Sequence, residues 1–228
     1  MRRVVVLDKG WIELQDVMGD DNAIVSAART SFLGESKGEQ ADKNLLFYLM
    51  KHRHTTPFEM VEFRFRVHAP LVVWWQWIRH RTFSYNSQSG RYTEFNEGDF
   101  YIPEAWQWRL QSSSNKQASD GSLDSNLGIH FTNALLAHCD NGYALYQNAL
   151  SVGIAREQAR LFLLGFGVYY TMVVKTDAHN LMHFLKLRMA PDAQYEVRAY
   201  AQAIYEHFFK PALPWTAEAF ETLVMSSD

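Results

Sequence analysis

The chain has a single cysteine, Cys139, in 228 residues. One thiol excludes an intrachain disulfide and any zinc centre built from several thiolates. Phe131, Leu135 and Cys139 recur at helical spacing, so Cys139 is expected to be a small core hydrophobe and not a nucleophile. Long hydrophobic runs are also missing. The longest, LFLLGFGVYYTMVV over residues 161–174, ends at Lys175, whereas a membrane-spanning helix needs about 20 residues. It is expected to be a buried core helix. The opening MRRVVVLDKG has too few apolar positions before Asp8 for the hydrophobic region of a secretory signal, so a cytoplasmic protein without membrane contact is expected. There is little excess charge of either sign: 22 basic and 25 acidic residues give a net charge of −3, which argues against nucleic acid held by bulk electrostatics. No internal repeat or coiled-coil heptad is evident.

What the chain does have is 47% apolar and 14% aromatic content, enough for one sizeable core and hence one domain over residues 1–228. Residues 4–7 read as a short strand, and EFRFRVH at 62–68 alternates at period two, as a half-buried strand does. Apolar positions at spacings of three and four predict helices over 20–30, 43–52, 70–79, 125–151, 157–175, 178–188 and 193–209. Asp192 is placed to cap the last of these. QSSSNKQASDGSLDS at 111–125 is polar and turn-rich, and predicts an exposed connection. Strands before it and helices after it indicate an α+β, mostly helical fold. Five of the 7 tryptophans fall between Trp74 and Trp108; most should serve core packing, and such density also marks subunit interfaces and flat-ligand pockets.

The segment RHRTFSYNSQSGR, residues 79–91, holds three arginines and a histidine with no acid. Its basic end should lie at the C-terminus of the 70–79 helix, where exposed carbonyls repel an anion unless cationic side chains overcome them. The Ser, Asn, Gln and Gly tail adds hydroxyl, amide and backbone donors suited to a polar planar ligand. Gln76 is a polar residue in an aromatic stretch, so it needs either an internal partner or a ligand.

Arg79, His80 and Arg81, then seven residues, then Ser89, continued by Gly90, Arg91 and Tyr92, resemble the signature of the flavin-dependent thymidylate synthase family. KHRHTTPFE at 51–59 and NLMHFLKLR at 180–188, leading into AQYE at 193–196, resemble the same family, and the likeness runs from Leu7 to about Trp215. The resemblance implies that family's fold, a small antiparallel-type sheet in a mostly helical subunit, and a homotetramer whose active sites are shared between chains. It also implies reductive methylation of dUMP to dTMP, with 5,10-methylenetetrahydrofolate as one-carbon donor and NADPH reducing bound FAD. Cysteine-dependent thymidylate synthases attack uracil through a thiolate in a Pro-Cys context; AHCDNG around Cys139 does not match it.

By this resemblance Arg188 is the activating arginine, its guanidinium stabilising the pyrimidine anion formed when N3 loses a proton, and His54 accompanies it as a catalytic candidate. Gln76, Arg79, Ser87, Gln88, Ser89, Gly90, Arg91 and Arg160 are implied to bind dUMP together with Arg188. Ser31, Thr56, Glu59, Arg79, His80, Arg81, Asp177, His179 and His183 are implied to contact FAD. Ser89 has no discernible Ser-His-Asp arrangement around it and reads as a hydrogen-bond donor. Two amides common in the family are Asp177 and His183 here, and Ser87-Gln88 replaces a common Glu-Leu; an aspartate suits ribose or adenine hydroxyls rather than a flavin phosphate.

Two readings from other classes compete. His179 and His183 at i, i+4 suggest a metal-dependent hydrolase, but Asn180 stands where an H-E-x-x-H zinc enzyme has its glutamate base. A nucleotide- or RNA-binding module, with basic loop and tryptophans stacking bases, conflicts with the net negative charge.

Overall fold

In the computed structural model, which describes residues 3–226, the chain opens with β1 (Arg3–Val6), β2 (Gly10–Met18), α1 (Asp21–Arg29) and α2 (Glu39–Lys51). Next come β3 (Glu62–Pro70), α3 (Leu71–Trp77) and β4 (Ser84–Ser87), then the short ribbon of β5 (Arg109–Gln111) and β6 (Ser119–Ser122). The second half holds α4 (Ser125–Ser151), α5 (Arg156–Ala159), β7 (Tyr169–Asp177), α6 (Ala178–Met189), α7 (Tyr195–Ile204), α8 (Lys210–Ala212) and α9 (Pro214–Phe220). Five strands pair in the order β1-β2-β3-β7-β4, every pairing antiparallel.

β3 follows its sequence pattern: Phe63, Phe65 and Val67 are buried in the main core, while Arg64 and Arg66 lie on the open face. Its partner β7 overturns an expectation. Residues 157–175 do not form one core helix; α5 and a 3-10 turn at Arg160–Phe162 end it, and β7 pairs with β3 from Glu62↔Asp177 to Pro70↔Tyr169. Leu161 and Phe166 are 80% and 68% exposed, so the stretch is not core throughout. Gly165 and Gly167 interrupt the apolar run, and the β-branched and aromatic residues beyond them favour a strand, whose period is concealed because residues 169–174 are buried or half-buried on both faces. β2 has no clear signal in the sequence, because a register shift between Leu14 and Asp16 breaks its alternation.

Other boundaries differ from expectation for local reasons. Pro70 closes β3 instead of opening a helix, and α3 ends at Trp77, before Arg79. Asp192 does not cap α7, which starts at Tyr195 after Gln194. Asp20, Asp124 and Asp177 do cap α1, α4 and α6. Trp74 and Trp77 are core residues, whereas Trp75 and Trp106 are exposed. No helix among the described residues is long and apolar enough to cross a membrane.

One buried acid ties the two ends of the described chain together. The Asp21 carboxylate accepts from Trp215 N (2.7 Å), Thr216 N (3.1 Å) and Thr216 Oγ1 (2.6 Å), capping α9, which has no side-chain cap of its own. Burial, acting against these hydrogen bonds, raises its pKa. Asp21→Ala leaves three donors without an acceptor and is expected to destabilise the fold by roughly 1–3 kcal/mol, read as a lowered urea midpoint; an unchanged midpoint contradicts this account.

Candidate active site

α3 leaves β3 without a loop and α6 leaves β7 without a loop, so the antiparallel pairing of the two strands fixes both helices relative to each other. Trp77 stacks on Phe184 at 4.8 Å and sets their packing distance. At this junction the Arg188 guanidinium donates three hydrogen bonds: Nη1 to Gln76 Oε1 (3.0 Å), Nη2 to Gln76 O (3.2 Å) and Nε to His80 Nε2 (3.1 Å). Gln76 therefore has an internal partner. Burial first, then the neighbouring Arg79, lowers the Arg188 pKa.

Arg79, His80, Arg81, His179, His183 and Arg188 line one cavity of about 570 Å³, with no carboxylate in its wall. Arg79 and Arg81 are exposed, and among the described residues neither has an acidic partner. His80 differs from them. It is 7% exposed and held down to about 4 by burial, then by Arg188 and His183, so at neutral pH it is not the cation that the basic cluster suggests beside a flavin. A second cavity of about 360 Å³ shares His179 and His183 and adds Leu49, His54, Phe58, Met182 and Phe220. Ser31, Thr56 and Glu59 are exposed in 3-10 turns at Thr30–Phe32 and Thr56–Met60, and line neither cavity.

Asp177 has a structural task. Its carboxylate accepts from Asn180 N (2.8 Å) and Asn180 Nδ2 (2.6 Å), so it holds the first turn of α6. Gln88 is likewise taken up by the fold: its backbone N–H donates to Thr171 O and its Oε1 accepts from Thr171 N, both at 2.9 Å, extending the β4–β7 ladder. With Ser87 it lines a third cavity of about 610 Å³ beside His68 and Asp99.

The remaining expected nucleotide residues gather elsewhere. Ser89 Oγ accepts from Arg91 N (3.3 Å), and Arg91 Nε pairs with Glu157 (3.1 Å), whose carbonyl accepts from Arg160 Nε (3.3 Å). Gly90 is required here, since a Cβ would lie 2.7 Å from a Phe95 ring atom and 3.6 Å from Arg160 Cδ. Ser89, Gly90, Arg91 and Arg160 line neither cavity that Arg188 lines. β4 separates the two groups, a strand about 13 Å long at roughly 3.3 Å per residue. One chain thus carries two halves of the expected nucleotide site. Sequence reading misses Glu157, whose signal is its position between Arg156 and Arg160, and Tyr85, whose hydroxyl donates to Trp77 O (2.9 Å) and His80 O (3.0 Å) and braces the basic turn.

Cys139 belongs to a separate cluster with Phe95, Phe100 and Tyr146, and burial pushes its thiol up to about 11. A thiol so poorly ionised is not a nucleophile at neutral pH. Cys139→Ala is expected to keep the catalytic rate of the wild type; a rate lost while the fold and flavin content persist overturns this.

The chain is a mostly helical α+β fold with an acid-free arginine cavity at a helix junction, and solved structures share that fold. The chain superposes on the UMP/dUMP methylase PolB of Streptomyces cacaoi, solved with 5-Br dUMP bound, at a TM-score of 0.85 and 31% identity, over 96% of this chain and 97% of that one. Residues 13–215 match the thymidylate synthase complementing protein family, and the chain belongs to that family, the flavin-dependent thymidylate synthases. It is 49% identical to a flavin-dependent thymidylate synthase of Thermus thermophilus, over 96% of this chain and 78% of its relative. With the one from Thermosipho africanus the identity is 41%, over 98% and 96%. The family match and these relatives do not favour the hydrolase or the nucleotide- or RNA-binding module.

Proposed function

We propose that this protein makes dTMP from dUMP, transferring the methylene of 5,10-methylenetetrahydrofolate to C5 and releasing tetrahydrofolate, with NADPH as the reductant. The observation that carries the reading is Arg188, a half-buried guanidinium anchored by neutral acceptors and without a carboxylate partner among the described residues. A cation so placed stabilises an anion on the N3/O2 edge of a pyrimidine, and charge delocalised into the ring makes C5 nucleophilic. This route uses no thiolate, in keeping with the buried Cys139.

The residues fit FAD. Arg79 and Arg81 supply cations that have no acidic partner among the described residues for its pyrophosphate, and the wall of Leu49, Phe58, Met182 and Phe220 with His54, His179 and His183 suits a planar ring system. When bound, the flavin supplies the hydride that completes the methyl group. The chain's own residues bind, orient and shield. Gln76 and Arg79 flank Arg188, while Ser89, Gly90, Arg91 and Arg160 offer donors and charge for the nucleotide phosphate.

The separation of those two groups supports active sites completed by a second chain in a homotetramer. Apolar residues left on α4, Leu127, Ile129, Phe131, Leu136 and Leu145, are 43–52% exposed and suit contact between subunits. We place the whole chain in one domain acting in the cytoplasm; Leu71 and Tyr170 pack against both core clusters. The test is direct. Purified protein should be yellow with flavin absorbance and form dTMP from dUMP, methylenetetrahydrofolate and NADPH; colourless protein carrying stoichiometric zinc and inactive on dUMP overturns the proposal.

A further inference from the structure

We infer that His80 is a positioning residue for Arg188, orienting its guanidinium through a neutral acceptor that leaves the positive charge intact. The inference rests on the reading of Arg188 as the group that activates the pyrimidine.

Of the three acceptors around Arg188, only Gln76 Oε1 sits on a rotatable side-chain amide; Gln76 O belongs to the backbone of α3, and His80 Nε2 belongs to a ring fixed on several sides. The His80 backbone N–H donates to Trp77 O (2.9 Å), and its carbonyl accepts from Tyr85 Oη (3.0 Å). The ring packs edge-on against Phe184 at 5.0 Å, with Phe83 at 5.9 Å. The Arg188 Nε–H is the bond that sets rotation of the fork about its stem, so the His80 lone pair decides which edge the remaining N–H groups present.

For that lone pair to exist, the ring proton must be on Nδ1. The Arg188 Nε–H aimed at Nε2 requires this, and a second ring proton is disfavoured by Arg188 and His183, which face the ring from α6, and by Arg79 and Arg81, which flank it on its own segment. Burial, then Arg188 and His183, keep the ring neutral at physiological pH.

The choice of acceptor has an electrostatic consequence. A carboxylate in this place would orient Arg188 equally well, but it would form an ion pair and cancel the charge that an N3 anion requires. Imidazole supplies direction without neutralisation. His80 thereby acts through Arg188 and not as a cation toward flavin phosphate.

Three substitutions separate geometry from charge, each assayed for kcat, dUMP dissociation constant and flavin content. His80→Gln keeps a neutral acceptor and should retain kcat within about 5-fold, while His80→Leu, lacking an acceptor, and His80→Glu, adding charge, should each lose roughly 10- to 100-fold. Flavin content and dUMP affinity should remain near wild type in all three. Should His80→Leu fail to fold, the Gln and Glu variants decide, as they are close to isosteric and differ in charge. Equal kcat for these two, or a fully active His80→Leu, overturns the inference. Arg188→Ala assayed alongside tells the two readings apart: if it is inactive while the His80 variants are normal, only the role of His80 fails, and if it is fully active, the reading of Arg188 fails with it.

Discussion

Arg188→Ala lowers kcat for methylation of dUMP by about 10²- to 10³-fold, the loss typical when a pre-placed donor to a developing anion is removed, and leaves flavin content near that of the wild type. Arg188 is held by Gln76 and His80, groups of α3 and the turn after it, whereas Arg79 and Arg81, the cations proposed for the flavin phosphates, are exposed. Removing the guanidinium therefore takes away stabilisation of the N3 anion without emptying the flavin site. Flavin absorbance after gel filtration and single-turnover formation of dTMP measure the two effects separately. A variant that loses its flavin and regains full turnover when FAD is added back contradicts the assignment to base activation.

Mixing two inactive variants restores activity. If Arg188 of one chain and Arg160 of another complete each nucleotide site, then Arg188→Ala and Arg160→Ala subunits, unfolded together and refolded at equal ratio, regain about a quarter of wild-type activity, because random assembly gives each site two intact contributors in about one case in four. The structure motivates this directly: Arg160 sits with Gly90, Arg91 and Glu157 on one side of β4, and Arg188 with Gln76 and His80 on the other. Refolded controls of each variant alone should stay inactive. A mixture no more active than those controls means that both arginines serve a site within one chain.

Much of the site is legible in the sequence because it depends on local chemistry. The run from Arg79 to Arg91 has its donors, cations and lack of acids written in consecutive residues, and the strand alternation of residues 62–68 needs no partner to be read. The linear pattern misleads where a residue's task depends on what lies across from it. By type Gln88 offers an amide and Asp177 a carboxylate acceptor to a ligand, and in the fold one completes a ladder with Thr171 and the other caps α6. His80 reads as a cation in RHR and becomes neutral once buried beside Arg188. β7 resembles a helix in sequence because residues 169–174 are buried or half-buried on both faces of the sheet, so no clean polar alternation marks the strand.

The sequence by itself determined the chemistry available and the family it belongs to: the arginines, the loop that follows them, the single unsuited cysteine, and the mostly helical α+β class. Tertiary structure decided which of those groups meet. Arg188 and His80 lie 108 residues apart and touch only because β3 and β7 pair antiparallel and each feeds a helix into the same junction. Conversely, Ser89 and Arg79 are near in sequence but are held apart by β4. Hydrogen bonds, burial and the charge state of an imidazole are properties of neighbourhoods, and the fold creates those neighbourhoods from residues that the linear chain keeps distant.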